Sequence, residues 1–454
     1  MIRIHFIAIG GSAMHSLALA MKKNGHKITG SDDAIFDPSK TKLENGGLLP
    51  KKLGWFPEKI NNTLDVIVLG MHAKADNPEL IRAQKLNLKI QSYPEFLASM
   101  CQGKTRIVIA GSHGKTTITA MILHVLNYHQ VTADFMVGAP IFSLKETLSI
   151  TSDNDFILLE GDEYLSSTID RVSKFLWYLP EIALISGIAW DHVNVFPTFK
   201  NYVNQFEKFI FSIQEGGVLI YNEEDSLLKK LVESSVHPIK KIPYKTPKHQ
   251  IESGITFLDT SEGSLPLSVF GQHNLMNLAG AQWVAQLMGI DASDFYEAIP
   301  SFKGAKKRLE LISQGKSAFL FKDFAHAPSK VKATTNAIGI QFPSQNILVC
   351  LELHTYSSLD ATFLKQYINT LNDAHEAIVF FDPEALRIKN RAPIDLLDIE
   401  RAFNHTSLNV FTDFSLLQEF LFKQDYFNRV LIMMSSGNFG GLDWGKLKTK
   451  ITLF

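Results

Sequence analysis

An α/β protein of three domains is what this 454-residue sequence predicts. Three observations carry the prediction. Single hydrophobic cores seldom grow beyond roughly 150–250 residues, so the length calls for about three of them. Short aliphatic and β-branched runs alternate with helix-patterned segments along the whole chain, the pattern of parallel sheets with crossover helices. At residues 105–117 an apolar run feeds a glycine turn that opens directly on a helix-forming segment, a junction at which α/β folds place ligands.

The elements follow in order. Residues 4–9 read as a buried strand, Gly10-Gly11-Ser12-Ala13-Met14 as a turn and 15–23 as a helix with one apolar face. A second run, 26–30, leads into Ser31-Asp32; strands are predicted at 65–69 and 89–91, a helix at 78–85. A second α/β unit begins near Arg106, with strands at 106–110, 155–160, 182–188 and 217–222. Residues 243–266 are rich in turn formers and predict short strands at a sheet edge. A helix starts at Gly271-Gln272-His273-Asn274 and runs to about 289. A turn-forming stretch at 299–304 marks the next boundary. The third alternation has strands at 318–323, 346–351, 376–381 and 429–434, helices at 329–340 and 361–372, and a closing glycine turn, Ser435-Ser436-Gly437-Asn438-Phe439-Gly440-Gly441. The domains are set at 1–102, 103–300 and 301–454.

With 45% hydrophobic and 20% charged residues and a formal net charge of −1, the composition is that of an ordinary globular protein. No basic excess points to nucleic acid, so specificity must reside in local sites. Cys101 and Cys350 offer neither a disulfide framework nor metal-ligand spacing, and read as core thiols in a reducing compartment. The chain opens on a strand without the features of a secretory signal, and no apolar run approaches the ~20 residues that span a bilayer, so a cytoplasmic location without membrane insertion is expected.

The junction Gly111-Ser112-His113-Gly114-Lys115-Thr116-Thr117 carries the most chemistry. Backbone N–H groups and a helix N-terminus converge there on an anion. Lys115 would reach terminal phosphates and the Thr116 hydroxyl an accompanying Mg²⁺. The usual loop has four residues between its glycines; here there are two. The alternative is a glycine turn before a lysine-capped helix. Gly10 to Met14 resembles a dinucleotide-type turn but equally a structural one. Asp32 suits a ribose or base contact, or a helix N-cap. Glu160, Asp162 and Glu163 crowd the end of a buried strand, and Asp191-His192 follows another. Together they suggest a second metal site with Glu160 and His192 as ligands, although singly each suits a solvated acid or a satisfied histidine. Asn274 and Asn277 could read an adenine edge. Lys306-Lys307-Arg308-Leu309-Glu310 and Asp323-Phe324-Ala325-His326-Ala327-Pro328 could by themselves be a basic face and a strand-end turn.

In order, these segments resemble the Mur ligase family over essentially the whole length: a GxHGKTT loop, an ExDE strand end, a DH pair, a GxHNxxN helix start, a KRLE segment and a DFAHxP turn. The resemblance implies an N-terminal Rossmann-like UDP-sugar domain, a central ATPase-like domain and a C-terminal Rossmann-like domain that brings the amino substrate. It implies ATP and Mg²⁺ as cofactors, and amide formation through an acyl phosphate shielded from water by domain closure. Gly11, Ser12, Ala13 and Met14 would cradle the UDP diphosphate, Asp32 would touch the uridine end, and His72 and His354 would join the substrate contacts. Gly111, His113, Gly114, Lys115, Thr116 and Thr117 would hold the phosphates. Thr116, Glu160 and His192 would ligate Mg²⁺; His273, Asn274 and Asn277 would line the adenine; Arg308 would reach the phosphates and Asp323 the ribose. His326 would face the amine, and Lys115, Glu160, His192, Arg308 and His326 form the implied catalytic set.

Some positions depart from the family pattern. Phe206 stands where several members carry a carbamylated lysine, Gly161 replaces an alanine, and Ala327 replaces a second histidine. The absent lysine is typical of the branch acting on UDP-N-acetylmuramate. Within that branch the extra segment 165–178 and His354-Thr355-Tyr356-Ser357-Ser358, which lacks two arginines, resemble the member that adds L-alanyl-γ-D-glutamyl-meso-diaminopimelate in peptidoglycan recycling. The alternative is the L-alanine-adding member; a non-catalytic UDP-sugar sensor is the alternative of another class. A monomer or weak homodimer is expected.

Overall fold

The computed structural model describes every residue except 72, 142, 143, 145, 192–194, 253, 306 and 307. The chain forms two compact units. The first comprises residues 1–188, 198–244 and 280–291; the second comprises 189–197, 245–279 and 292–454. The fold is α/β throughout, with three parallel-rich sheets, as the alternation of strand and helix patterns predicts.

The first unit holds two sheets. Strands β1 (Arg3–Ile7), β2 (Lys27–Ser31), β3 (Val66–Leu69) and β4 (Ile90–Ser92) pair in parallel in the order β2-β1-β3-β4. β1 ends two residues earlier than the apolar pattern suggests, because Ala8 takes a φ of +66° and starts the turn. Ile7, Ile67, Leu69 and Leu80 pack one face of this sheet. Tyr93-Pro94 opens a helix, Tyr93–Met100, where Ser92 and Glu95 form a capping box and proline occupies the first turn.

The second sheet contains β5 (Thr105–Ala110), β6 (Asp134–Met136), β7 (Leu148–Ser149), β8 (Phe156–Gly161), β9 (Ile182–Ile185), β10 (Val218–Asn222) and β11 (Lys240–Tyr244), ordered β11-β10-β9-β5-β8-β6-β7. β5 lies between β8 and β9, and the register sets Ile109 opposite Glu160 and Ala110 opposite both Gly161 and Ile185. The ends of three neighbouring strands therefore meet at the glycine loop.

In the second unit, β12 (His249–Glu252), β13 (Ile255–Thr260) and β14 (Gly263–Leu267) form a separate antiparallel sheet rather than the edge of a larger one. β15 (Glu310–Gln314), β16 (Phe319–Asp323), β17 (Asn346–Glu352), β18 (Glu376–Phe380), β19 (Leu408–Phe411) and β20 (Arg429–Met434) follow in the order β15-β16-β20-β17-β18-β19. β15 is antiparallel to its neighbour and all other pairs are parallel. Along β17, Ile347, Val349 and Leu351 enter one core while Leu348 and Cys350 enter the other. Both faces of the sheet are covered, which is why its strands read as unbroken apolar runs. The helix expected at 361–372 stops at Leu364, passes through a 3-10 turn and ends by Asn369, whose φ is +59°.

Candidate active site

The glycine loop follows β5 as the sequence suggests. Gly111 and Gly114 take φ values of +123° and +80°, and a Cβ on Gly111 would come within 2.9 Å of the Ser186 amide nitrogen. Only glycine fits a left-handed turn pressed that closely against a neighbouring strand end. Gly114 caps the helix Lys115–Tyr128, so its first-turn N–H groups face the loop interior.

Lys115 Nζ donates to the Gly111 carbonyl at 2.7 Å and to Glu163 Oε2 at 2.9 Å. Burial disfavours the Lys115 ammonium, but Glu163, Asp162 and Glu160 around it prevail and hold its pKa above the ordinary lysine value. The lysine therefore stays charged at neutral pH. The Thr116 hydroxyl donates to Glu160 Oε2 at 3.0 Å, and a Cβ on Gly138 would lie 3.0 Å from the same carboxylate oxygen. Two adjacent oxygen donors, one of them a carboxylate, suit Mg²⁺, which takes oxygen ligands. Asp162 turns aside to Lys174 at 2.6 Å.

Tyr202 is a residue that no motif flags. Its hydroxyl donates to Glu163 Oε1 at 2.7 Å and lies 2.8 Å from Ser112 Oγ, joining the loop to the acidic strand end. Its helix, Phe199–Ser212, also buries Phe206 against Phe175, with ring centroids 5.7 Å apart, while Lys208 is exposed. Phe206 is thus part of an aromatic core.

At the other glycine turn, the Asp32 carboxylate accepts from the Gly10 amide at 2.7 Å. Burial raises its pKa, against the pull of the Gly10 and Ala34 amides. Ser12 and Ala13 are exposed at the start of the helix Ser12–Lys23, whereas the Met14 side chain is buried. His72 and His192 lie outside the described residues. The extra segment forms a hairpin: Leu165 bridges Ser173, the Ser166 amide donates to Val172 at 2.9 Å, and Asp170 accepts from Ser92 Oγ at 2.9 Å and Trp177 Nε1 at 3.0 Å.

The second unit gathers the remaining candidates. Gly271, at φ +88°, would set a Cβ 2.6 Å from Ala337, so the helix start presses on the helix Pro328–Gln341. Asn274 donates to the Phe270 carbonyl at 2.9 Å, and Asn277 is buried beside it. Burial lowers the His273 pKa, partly offset by Asp323. Asp323 accepts from the Ala325 amide at 3.0 Å and Thr334 Oγ1 at 2.8 Å. The Arg308 guanidinium lies 4.8 Å over the Phe324 ring. His326 donates from Nδ1 to the Phe324 carbonyl at 2.7 Å, and burial together with nearby Lys330 pushes its pKa down to about 4. The ring is therefore neutral with Nε2 left as the acceptor. Lys330, another residue no motif flags, donates to Asp191 at 3.3 Å. His354 Nδ1 lies 3.9 Å from Glu352 Oε1 at the end of β17.

Residues 3–105 match the Mur ligase family catalytic domain and residues 109–285 the Mur ligase middle domain. A UDP-N-acetylmuramate–L-alanine ligase from Clostridium acetobutylicum is 30% identical over 420 residues, covering 88% of this chain and 87% of that protein. The chain belongs to the Mur ligase family. Two solved Mur ligases share the fold. A murein peptide ligase from Psychrobacter arcticus has a TM-score of 0.65 at 23% identity, covering 100% of this chain and 99% of that one. A UDP-N-acetylmuramate–alanine ligase from Thermotoga maritima has a TM-score of 0.72 at 18% identity, covering 99% and 98%. Mur ligases are ATP-dependent amide ligases of peptidoglycan synthesis, and this chain is an enzyme of that class. Among the described residues, no helix is long and apolar enough to cross a membrane.

Proposed function

We propose that this Mur ligase joins L-alanyl-γ-D-glutamyl-meso-diaminopimelate to UDP-N-acetylmuramate, the reaction of a murein peptide ligase, through domains at 1–102, 103–300 and 301–454 that take the UDP-sugar, ATP and the peptide. The observation that carries this reading is the turn His354-Thr355-Tyr356-Ser357-Ser358, which contributes no lysine or arginine of its own; Thr355 and Ser358 satisfy each other through bonds of 2.9 and 3.0 Å, and Lys389 and Arg391 reach the Tyr356 ring from a separate loop. Free L-alanine brings a carboxylate one carbon from its reacting amine, and burying it calls for a cation. In the peptide that carboxyl group is a neutral amide, and no cation is needed beside it. The ordered 165–173 hairpin, absent from the alanine-adding pattern, supports the same reading.

In the reaction, the lactyl carboxylate of UDP-N-acetylmuramate attacks the γ-phosphorus of ATP, giving an acyl phosphate and ADP. The peptide amine then adds to the acyl carbon, and the tetrahedral species expels phosphate while the nitrogen loses its proton. Lys115 offsets charge between carboxylate and phosphates. Thr116 and Glu160 would hold Mg²⁺, which supplies further charge neutralisation when bound; family resemblance implies His192 as a further ligand. His326 Nε2 accepts a hydrogen bond from the amine and orients it. Asp32 keeps the Gly10 turn shaped for the UDP diphosphate. The L-alanine reaction is the second reading, favoured by the Clostridium acetobutylicum relative. Phosphate release with ATP, UDP-N-acetylmuramate and either amino substrate separates them. The tripeptide is expected to give the higher kcat/KM, and faster turnover with L-alanine would overturn the assignment.

A further inference from the structure

We propose that Tyr356, Lys389 and Arg391 form the subsite for the distal carboxylate of the third residue of the peptide, an inference that rests on the tripeptide reading above. Tyr356 lies in the loop after β17, and Lys389 and Arg391 follow the short helix Pro383–Ile388, which comes after β18. β17 and β18 are parallel neighbours, so both loops leave the carboxyl edge of one sheet. That edge is where open α/β sheets bind ligands, and it also carries Glu352, His354 and the 435–441 turn.

The three side chains make an arrangement with a chemical gap. Tyr356 is 50% exposed although it stands in a loop whose other members are mostly buried. Lys389 Nζ lies 5.7 Å and the Arg391 guanidinium carbon 6.0 Å from the ring centroid. Arg391 is held at 3.0 Å by Asp360, which neutralises one of the two charges. Lys389, half-buried, has no carboxylate partner among the described residues. A cation kept partly out of water against an exposed ring lacks its complementary anion. A carboxylate could accept from Lys389 Nζ and from the free edge of Arg391 while its aliphatic stem lies on the Tyr356 face. Diaminopimelate offers that combination in its side chain. L-lysine offers the stem without the carboxylate.

The test compares the full-length enzyme and its variants on two tripeptides that differ only at the third residue, meso-diaminopimelate or L-lysine. The wild type is expected to prefer the diaminopimelate peptide. Lys389→Ala should cut that preference about tenfold, through KM rather than kcat. Lys389→Met, which keeps the stem, and Tyr356→Leu should move it in the same direction, and Lys389→Arg should retain most of it. An unchanged ratio in Lys389→Ala and Lys389→Met overturns the subsite, and so does an equal loss on both peptides in variants whose thermal melts match the wild type. Failure of the tripeptide reading would be visible before any variant is made, as a wild type that uses L-alanine and neither peptide, and the subsite would fall with it.

Discussion

At the scale of single residues, charge is held in place by neighbours far away in the chain. Lys115 keeps its proton despite burial because Glu163 stands 48 positions later at 2.9 Å. His326 is the opposite case. Its folded pKa is about 4, and an unfolded histidine takes a proton near 6.5. Between those values the unfolded chain binds a proton that the folded chain does not. Stability is therefore lost as pH falls from about 6.5 to about 4, and is unaffected by this group above that window. His326→Gln should lose less stability than the wild type over the window, by up to about 2–3 kcal/mol at its acid end. Denaturant midpoints measured across it check this, and parallel profiles for the two proteins would refute it.

At the scale of elements, backbone register builds the site. Glu160 reaches the Thr116 hydroxyl because β8 pairs with β5 in the register that sets it opposite Ile109. Gly161, next along β8, shows why an alanine is not used here: a Cβ would stand 2.7 Å from Val108 Cγ1 and 3.2 Å from Ala110 Cβ. Gly161→Ala should overpack this pair and cost about 1–3 kcal/mol. It should also lower kcat by displacing Glu160. A variant with the wild-type melting curve and activity would mean that Val108 turns aside without cost. Much of this was legible in the sequence. The glycine loop, the acidic strand end and the DFAHxP turn each follow a strand that apolar patterning locates. Tyr202, Lys330 and the Lys389–Tyr356 contact were not legible, because each acts across a distance that no spacing rule covers.

At the scale of the whole molecule, the residues of the proposed reaction are divided between two compact units. Lys115, Thr116 and Glu160 belong to the first, and His273, Arg308, Asp323 and His326 to the second. Ligand that binds only the folded chain must stabilise it, by about 2.7 kcal/mol at a hundredfold excess over Kd. ATP with Mg²⁺ is thus expected to raise the melting temperature, and EDTA or Lys115→Ala to remove most of the rise. An undiminished shift in Lys115→Ala would place the nucleotide elsewhere.

The sequence by itself determined the α/β class, the family and the order of the chemical motifs, because local period, turn glycines and short-range spacing are properties of contiguous residues. It also located the Lys115 loop and the Glu160 strand end to within a residue or two. Only the tertiary structure decided what each group does with its charge. It turned Asp162 away to Lys174, bound Asp32 to the Gly10 amide, fixed the His326 tautomer on the Phe324 carbonyl and stacked Lys389 and Arg391 on Tyr356. Several of these outcomes depend on burial and on partners from other strands, and such long-range contacts exist only once the sheets have closed.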